Sequence, residues 1–335
     1  MKQHGLLKGY NRHLFNLARF LHICSGMEVF LEQFIEKERL PEGFRTLVSK
    51  AYLPIAERLL TWNAKHSGPA PLLVGINGAQ GTGKSTLAHF LAEFLKASAG
   101  LNVFVLSLDD LYMTRSERRL LAERVHPLLA TRGVPGTHDV ALAMRLLDAM
   151  AAGKAGETGE MEILRSPRFR KELDDRVAEV DWHSVNLPVD VVLFEGWCVS
   201  ARPQPMEALE SPVNAFESSA DAEGIWRRFV NDALAGAYAD LFARIDHTVL
   251  LRVPSFDCVL DWRREQEAKL RLSCADSGSS EGQHFMSESE LIEFIAHFER
   301  LTRWMLVDMP SFAEVLVDFN RDRSFVGLSY GEGAA

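Results

Sequence analysis

Residues 78–85 have the composition and the spacing of a loop that binds the phosphates of a nucleotide. They read Gly-Ala-Gln-Gly-Thr-Gly-Lys-Ser and match the pattern G-x-x-x-x-G-K-[S/T]. In this pattern the glycines let backbone N–H groups turn towards phosphate oxygens, the lysine reaches the terminal phosphates, and the serine hydroxyl can bind Mg²⁺. The residues expected to bind a nucleoside triphosphate are Gly78, Ala79, Gln80, Gly81, Thr82, Gly83, Lys84, Ser85 and Thr86.

The sequence on both sides of this loop supports the same interpretation. An apolar run at residues 72–76 predicts a strand before the loop, and the residues after the loop predict an amphipathic helix, which is the context that such a loop requires. A simple glycine-rich turn needs no such order of elements. We therefore expect Lys84 to act in catalysis at the terminal phosphates and Ser85 to bind a metal ion.

Acidic side chains follow two further predicted strands at their carboxyl ends. Asp109 and Asp110 follow strand 103–106, and Glu195 follows strand 189–194. Open α/β sheets bind their ligands at this edge, so one aspartate could accept a proton from a substrate hydroxyl, and Glu195 could orient Mg²⁺-bound water or that hydroxyl. Aspartate pairs also cap helices, and Glu195 could simply end its strand, so these alternatives stay open, above all for Asp110.

The elements that must position these groups form an α/β pattern. Short apolar runs alternate with helical stretches, which is typical of a mostly parallel sheet buried between helices. Residues 10–65 are predicted to be helical, with Pro41 and Pro54 as breaks. Residues 152–160 and 273–282 are polar, contain glycine and are predicted to be mobile loops. The predicted strands are 72–76, 103–106, 189–194, 248–253 and 315–319.

Composition excludes several classes of protein. The chain has 335 residues and a net charge of −9, so no overall positive field exists to hold a nucleic acid. It has no apolar run long enough to span a membrane and four widely spaced cysteines, which predict neither a disulfide framework nor a zinc site. The basic N-terminal segment is interpreted as a helix rather than an organelle-targeting segment. We expect a cytoplasmic protein, with a homodimer as an open alternative.

Six stretches in a fixed order carry a family resemblance. Together they resemble the P-loop small-molecule kinases that include uridine kinase, phosphoribulokinase and pantothenate kinase, and more closely D-glycerate 3-kinase and its bacterial relatives. The resemblance runs from about residue 71 to residue 323, and only its first stretch is specific by itself. The stretches are 78–85, Ser-Leu-Asp-Asp-Leu-Tyr (107–112), Arg-Gly-Val-Pro-Gly-Thr-His-Asp (132–139), Leu-Phe-Glu-Gly-Trp (193–197), Val-Leu-Asp-Trp-Arg-Arg-Glu-Gln-Glu (259–267) and Met-Ser-Glu-Ser-Glu-Leu (286–291).

The resemblance implies a P-loop three-layer sandwich with an N-terminal helical extension at 1–68, a kinase domain at 69–335 and a helical lid at about 255–287. It implies that Asp109 is the general base and that Glu195 lies near the metal. Physical chemistry agrees in outline, because a guanidinium such as Arg132 could hold a small carboxylate bidentately. The residues expected to bind the acceptor are Asp109, Tyr112, Arg132, His138, Asp139, Arg168 and Arg176.

Each of these residues also has a purely structural interpretation. Arg132 could be an ordinary surface arginine, His138 could be a hydrogen-bonded histidine in a turn, and residues 165–176 could form a solvated charged loop. That loop is similar to a family segment with the pattern P-x-[YF]-D-K…D-R, which the resemblance places beside the acceptor, but Arg170 stands where its aspartate is usual. This departure bears on the identity of the acceptor rather than on phosphoryl transfer.

The predicted lid carries a further catalytic candidate, Arg263. Closure of such a lid over ATP would exclude water and place a guanidinium on the transferring phosphoryl group. In the alternative reading, Arg263 and Arg264 pair with Glu267 on an exposed helix face. Phe285 replaces a family glycine in this segment.

The sequence therefore predicts an enzyme that uses ATP and Mg²⁺ to phosphorylate a hydroxyl of a small organic acid, with D-glycerate as the first choice. The preference for ATP over GTP rests on the family likeness. Two alternatives remain at this point: a kinase for a nucleoside or a pantothenate-like alcohol, and a P-loop regulator that binds ATP without transferring its phosphate.

Overall fold

A six-stranded sheet lies at the centre of the fold. The computed structural model describes residues 26–41, 43–153, 163–265 and 287–331. The strands of this sheet are Leu72–Gly78 (β1), Val103–Ser107 (β2), Val191–Gly196 (β7), His247–Arg252 (β8), Val315–Phe319 (β9) and Phe325–Tyr330 (β10). Within the described residues the strand order is β10-β9-β8-β1-β7-β2, and only β10 runs antiparallel to its neighbour.

The five predicted strands are confirmed, and together they form the parallel part of the sheet. β1 and β7 are buried along their whole length, which explains why they read as continuous apolar runs rather than as alternating ones. Strand β10 was not predicted. It lies at the edge of the sheet with its residues mostly half-buried or exposed, and its apolar stretch at 325–328 is only four residues long.

Helices flank the sheet, so the predicted α/β class and three-layer arrangement are confirmed. The lid prediction and the two predicted mobile loops fall largely on residues 154–162 and 266–286, outside the described residues. The helical residues are 26–38 (α1), Phe44–Leu47 (α2), Leu53–Lys65 (α3), Lys84–Ala99 (α4), Arg115–Arg124 (α5), Val140–Ala152 (α6), Ala215–Ala220 (α7), Ile225–Ala235 (α8), Ala237–Phe242 (α9), 257–265 (α10) and Glu288–Asp308 (α11).

The helices before β1 pack on α4, the helix that follows the phosphate-binding loop. The Phe34 and Tyr52 rings lie 5.4 Å and 5.3 Å from the Phe90 ring of α4, measured between centroids. Pro41 lies between α1 and α2, as predicted, but the prediction that Pro54 breaks a helix is wrong. A π-helical turn at Val48–Tyr52 joins α2 to α3, and Pro54 stands in the first turn of α3, where a missing backbone N–H costs little.

Two small antiparallel sheets project from the loops between α6 and β7. Ile163–Ser166 (β3) pairs with His183–Asn186 (β6), and Phe169–Arg170 (β4) pairs with Asp175–Arg176 (β5). We call residues 169–176 the β4–β5 hairpin. Among the described helices, none combines the length and the apolar character that crossing a membrane requires.

A buried ion pair joins α7 to α11. The Glu217 carboxylate accepts hydrogen bonds from Nε and an Nη of Arg300 at 2.8 Å and 2.6 Å, and both side chains are almost fully buried. Arg300 also donates to the carbonyl oxygens of Ala208 and Ser211. Because burial removes the guanidinium of Arg300 from water, the folded state depends on the Glu217 carboxylate to balance its charge.

We expect the substitution Glu217→Gln to lower the free energy of unfolding by about 3 kcal/mol, because Arg300 is then buried without a counter-charge. Urea unfolding followed by circular dichroism measures the change. Glu93→Gln is the matched control, since Glu93 pairs with Lys37 on the surface and should change the free energy by less than about 1 kcal/mol. Equal losses in the two variants would contradict this assignment.

Candidate active site

The loop after β1 adopts a shape that only glycine allows at two points. Gly81 and Gly83 have φ angles of 83° and 84°, in the left-handed region that disfavours other residues. Gly78 is needed for space, because a Cβ there would lie 2.5 Å from Thr82 Oγ1. That hydroxyl donates to the Ala79 carbonyl oxygen at 2.8 Å, and α4 then begins at Lys84. The loop therefore places the N-terminus of α4 at its open side.

Glu195 connects this loop to the neighbouring strand. Its Oε1 accepts hydrogen bonds from Ser85 Oγ at 3.0 Å and from Ser107 Oγ at 2.8 Å, and the side chain is buried. Parallel pairing sets Glu195 opposite Ser107 on one side and Ile76 on the other. A carboxylate and a hydroxyl in contact are the hard oxygen donors that Mg²⁺ prefers.

Asp109 lies in the 3₁₀ turn Leu108–Leu111, just beyond the carboxyl end of β2. Its Oδ1 accepts from the Tyr112 hydroxyl at 3.1 Å, and its Oδ2 accepts from Lys171 Nζ at 2.6 Å. Burial raises the pKa of Asp109, but the charges of Lys171 and Lys84, together with the hydrogen bond from Lys171, outweigh burial and lower it to about 2. Asp109 is therefore ionised and lies within the electrostatic reach of the Lys84 ammonium group.

Asp110 contacts other protein groups through both of its carboxylate oxygens, and its role is structural. Its Oδ1 accepts from the backbone N–H of Phe169 at 2.9 Å, and its Oδ2 lies 3.5 Å from His183 Nε2. Burial raises the pKa of Asp110, against the opposing effect of the hydrogen bond from Phe169. Asp110 therefore attaches the β4–β5 hairpin, a role that differs from the helix cap considered for it above.

His138 is buried beside Tyr112. The two rings stack with centroids 4.4 Å apart, and His138 Nδ1 lies 2.6 Å from the Tyr238 hydroxyl. That hydroxyl also accepts from the Gly136 N–H at 3.0 Å. Burial lowers the pKa of His138 to about 3, so the ring is neutral. Its Nε2 is buried and has no hydrogen-bond partner among the described residues.

The predicted acceptor-binding arginines differ in what they contact. Arg132 forms an ion pair with Asp174, which also binds the buried Arg118 at 2.9 Å. Arg176 donates to the Tyr112 carbonyl oxygen at 2.9 Å and lies 3.4 Å from Asp139 Oδ2. The structure thus gives Arg132 and Arg176 carboxylate partners within the protein. Asp139 also caps α6, because its Oδ1 accepts from the Leu142 N–H at 2.9 Å.

Two further predicted residues lie at the edges of this region. Arg168 is exposed next to the β4–β5 hairpin, and Arg263 is half-buried on α10. Arg264 hydrogen-bonds to Glu288 at 2.7 Å. Glu267, the partner considered for this pair, and Phe285 lie outside the described residues.

Sequence reasoning missed two side chains that the structure places in contact with predicted site residues, Lys171 beside Asp109 and Tyr238 beside His138. Lys171 contacts Asp109 across 62 positions of the chain, and Tyr238 contacts His138 across 100. The charged run at 165–176 contained a signal for Lys171, because that run was similar to a family segment that includes a lysine. No sequence signal marked Tyr238, since it lies in α9 among ordinary apolar helix residues.

This geometry, a phosphate-binding loop beside acids at the carboxyl ends of adjacent parallel strands, defines the class of P-loop kinases. No protein-family model matches the chain. A protein of Schizosaccharomyces pombe, the uncharacterized kinase mug58, is 31% identical over 283 residues, which cover 80% of this chain and 96% of that protein. The chain therefore belongs to the P-loop kinase family of this relative, and it is an ATP-dependent phosphotransferase.

Two further relatives carry a more specific name. The chloroplastic D-glycerate 3-kinase of Arabidopsis thaliana is 27% identical over 234 residues, which cover 68% of this chain and 46% of that protein. The solved structure of a D-glycerate 3-kinase from Cryptococcus neoformans superimposes with a TM-score of 0.65 at 25% identity and covers 83% of this chain and 98% of its own. The family thus includes proteins named as glycerate kinases, in agreement with the resemblance noted in the sequence.

We expect the substitution Gly78→Ala to weaken ATP binding by roughly tenfold or more, because the added methyl group would displace Thr82 and open the loop. Isothermal titration calorimetry with Mg²⁺-ATP measures the affinity. Gly327→Ala is the control, because nothing lies within 4 Å of a Cβ at that position. Unchanged affinity in Gly78→Ala would show that the phosphates do not depend on this loop shape.

Proposed function

We propose that the protein transfers the γ-phosphoryl group of ATP to a hydroxyl of a small organic acid, with D-glycerate as the first candidate. The observation that carries this proposal is the position of Asp109, an ionised carboxylate near Lys84 at the edge of the sheet where the phosphate-binding loop opens. The names of the two relatives from Arabidopsis and Cryptococcus support the choice of D-glycerate.

The nucleotide would lie on residues 78–86. The backbone N–H groups of the loop and the N-terminus of α4 would hold the phosphates, and Lys84 would contact the terminal ones. Ser85 and Glu195 would hold Mg²⁺, directly or through its water. The metal would supply charge neutralisation on the phosphate oxygens.

The acceptor would lie between Asp109 and the β4–β5 hairpin. The buried Nε2 of His138 has no hydrogen-bond partner among the described residues. In the proposed complex a hydroxyl of the acceptor would supply that partner. Tyr112 holds the Asp109 carboxylate through Oδ1. The other oxygen, Oδ2, which Lys171 contacts in this structure, would receive the proton.

The transfer needs no reactant other than ATP and the acceptor. The acceptor hydroxyl oxygen forms a bond to the γ-phosphorus, the bond from that phosphorus to the β,γ-bridging oxygen breaks, and ADP leaves. The hydroxyl proton moves to Asp109. Because such transition states need positioning and charge stabilisation above all, Arg263 would add a positive charge from α10 when the nucleotide is bound.

A panel of acceptors tests this proposal. ADP release is measured with D-glycerate, L-glycerate, pantothenate and uridine, and the product is identified by phosphorus and proton NMR, which also shows which hydroxyl is phosphorylated. We expect the highest kcat/KM with D-glycerate. Phosphorylation of uridine or pantothenate but not of glycerate would contradict the proposal, and ATP binding without transfer to any acceptor would favour a regulator.

The role of Asp109 has its own test. We expect Asp109→Asn to lower kcat by about 100-fold or more while ATP still binds, because the variant lacks the proton acceptor. Asp110→Asn is the matched control, since an amide oxygen can still accept from the Phe169 N–H, and its kcat should fall by less than about tenfold. Similar losses in the two variants would contradict the assignment of the base.

A further inference from the structure

Lys171 forms an ion pair with Asp109, the side chain proposed as the base. Its Nζ lies 2.6 Å from Asp109 Oδ2, while the lysine side chain is 58% exposed and the aspartate side chain is 38% exposed. The ion pair therefore lies at the surface of the site, where an entering acceptor can reach both groups. Arg132 and Arg176 differ from Lys171, because their carboxylate partners are Asp174 and Asp139.

The β4–β5 hairpin holds Lys171 at this place through contacts on both sides of it. Phe169 is buried and its N–H donates to Asp110. Asp174 has a φ of 51° and binds Arg118 through both its carbonyl oxygen and its carboxylate. The backbone around Lys171 is thus anchored, whereas its exposed four-carbon side chain can change direction at little cost.

The ion pair obstructs the reaction that Asp109 is proposed to perform. Lys171 occupies Oδ2 and Tyr112 occupies Oδ1, and the low pKa of Asp109 makes it a weak base at neutral pH. The groups that face Asp109 electrostatically are Lys171, Lys84, His138, Tyr112, Asp110 and Cys198. When ATP binds, Lys84 is engaged by the phosphates, so Lys171 is the cation that still holds the carboxylate.

We propose that Lys171 is a specificity-determining residue: the carboxylate of the acceptor takes its ammonium group away from Asp109, which both binds the acceptor and frees the base. This inference rests on the proposed function, since it needs an acceptor that is an anion. The exchange replaces one carboxylate partner by another, so it costs little electrostatically. A neutral alcohol offers Lys171 no such partner and leaves Asp109 blocked.

The test compares an anionic acceptor with a neutral one. kcat and KM are measured for D-glycerate and glycerol in the wild type, in Lys171→Met and in Lys171→Arg. We expect the wild type to prefer D-glycerate and Lys171→Met to lose that preference by about tenfold or more, as kcat/KM falls with D-glycerate but not with glycerol. Lys171→Arg keeps the charge and should retain most of the preference.

The pH profile provides a second readout that a merely structural role would not change. Removing the Lys171 charge raises the pKa of Asp109, and the base must be ionised to act. The acidic limb of kcat/KM with glycerol should therefore move to higher pH in Lys171→Met. Lys37→Met is the matched control, because Lys37 is an equally exposed lysine that pairs with a carboxylate, Glu93, outside the candidate site.

The outcomes of these experiments distinguish failure of this inference from failure of the proposed function. If the wild type phosphorylates D-glycerate but Lys171→Met keeps the same ratio of kcat/KM for the two acceptors, the inference is wrong and the proposed function stands. The same holds if the control Lys37→Met loses the preference equally. If the wild type binds ATP but phosphorylates no hydroxy acid, the proposed function fails and the inference fails with it.

Discussion

The interaction on which the rest of the site depends is the hydrogen bonding of one buried carboxylate to two hydroxyls. Glu195 accepts from Ser85, at the start of α4, and from Ser107, at the end of β2. Because the register of three parallel strands sets these groups side by side, the phosphate-binding loop and the aspartate turn after β2 face the same space. The chemistry proposed for Asp109 requires this arrangement before it requires any particular acceptor.

The helices before β1 also help to hold the phosphate-binding loop in place, because they pack on α4, the helix that follows it. Their aromatic rings pack on Phe90 of α4, so the helix whose N-terminus would meet the phosphates is held against them. Dense packing of this kind resists movement of the helix. The acceptor side is built differently: a short hairpin is attached by Asp110 and Asp174 and carries an exposed lysine. One side of the site is thus rigid and the other can respond to a ligand.

The parts that were predictable from sequence are those that local patterns encode. Buried parallel strands read as apolar runs, and the loop at 78–85 has a spacing that few other structures need. Pro54 was misread, because a π-helical turn before it lets the helix continue. The partners of Lys171, Arg132 and His138 depend on contacts across 42 to 100 positions, which no local pattern in a single sequence can show. For the same reason, the prediction that Arg132 holds a carboxylate of the acceptor did not include the ion pair of Arg132 with Asp174.

The most direct measurement is a crystal structure of the enzyme with Mg²⁺, a non-hydrolysable ATP analogue and D-glycerate. The account predicts the triphosphate on residues 78–86, the metal beside Ser85 and Glu195, and an acceptor hydroxyl in contact with Asp109, with the acceptor carboxylate on Lys171. A triphosphate bound away from this loop, or an acceptor hydroxyl remote from Asp109, would contradict it.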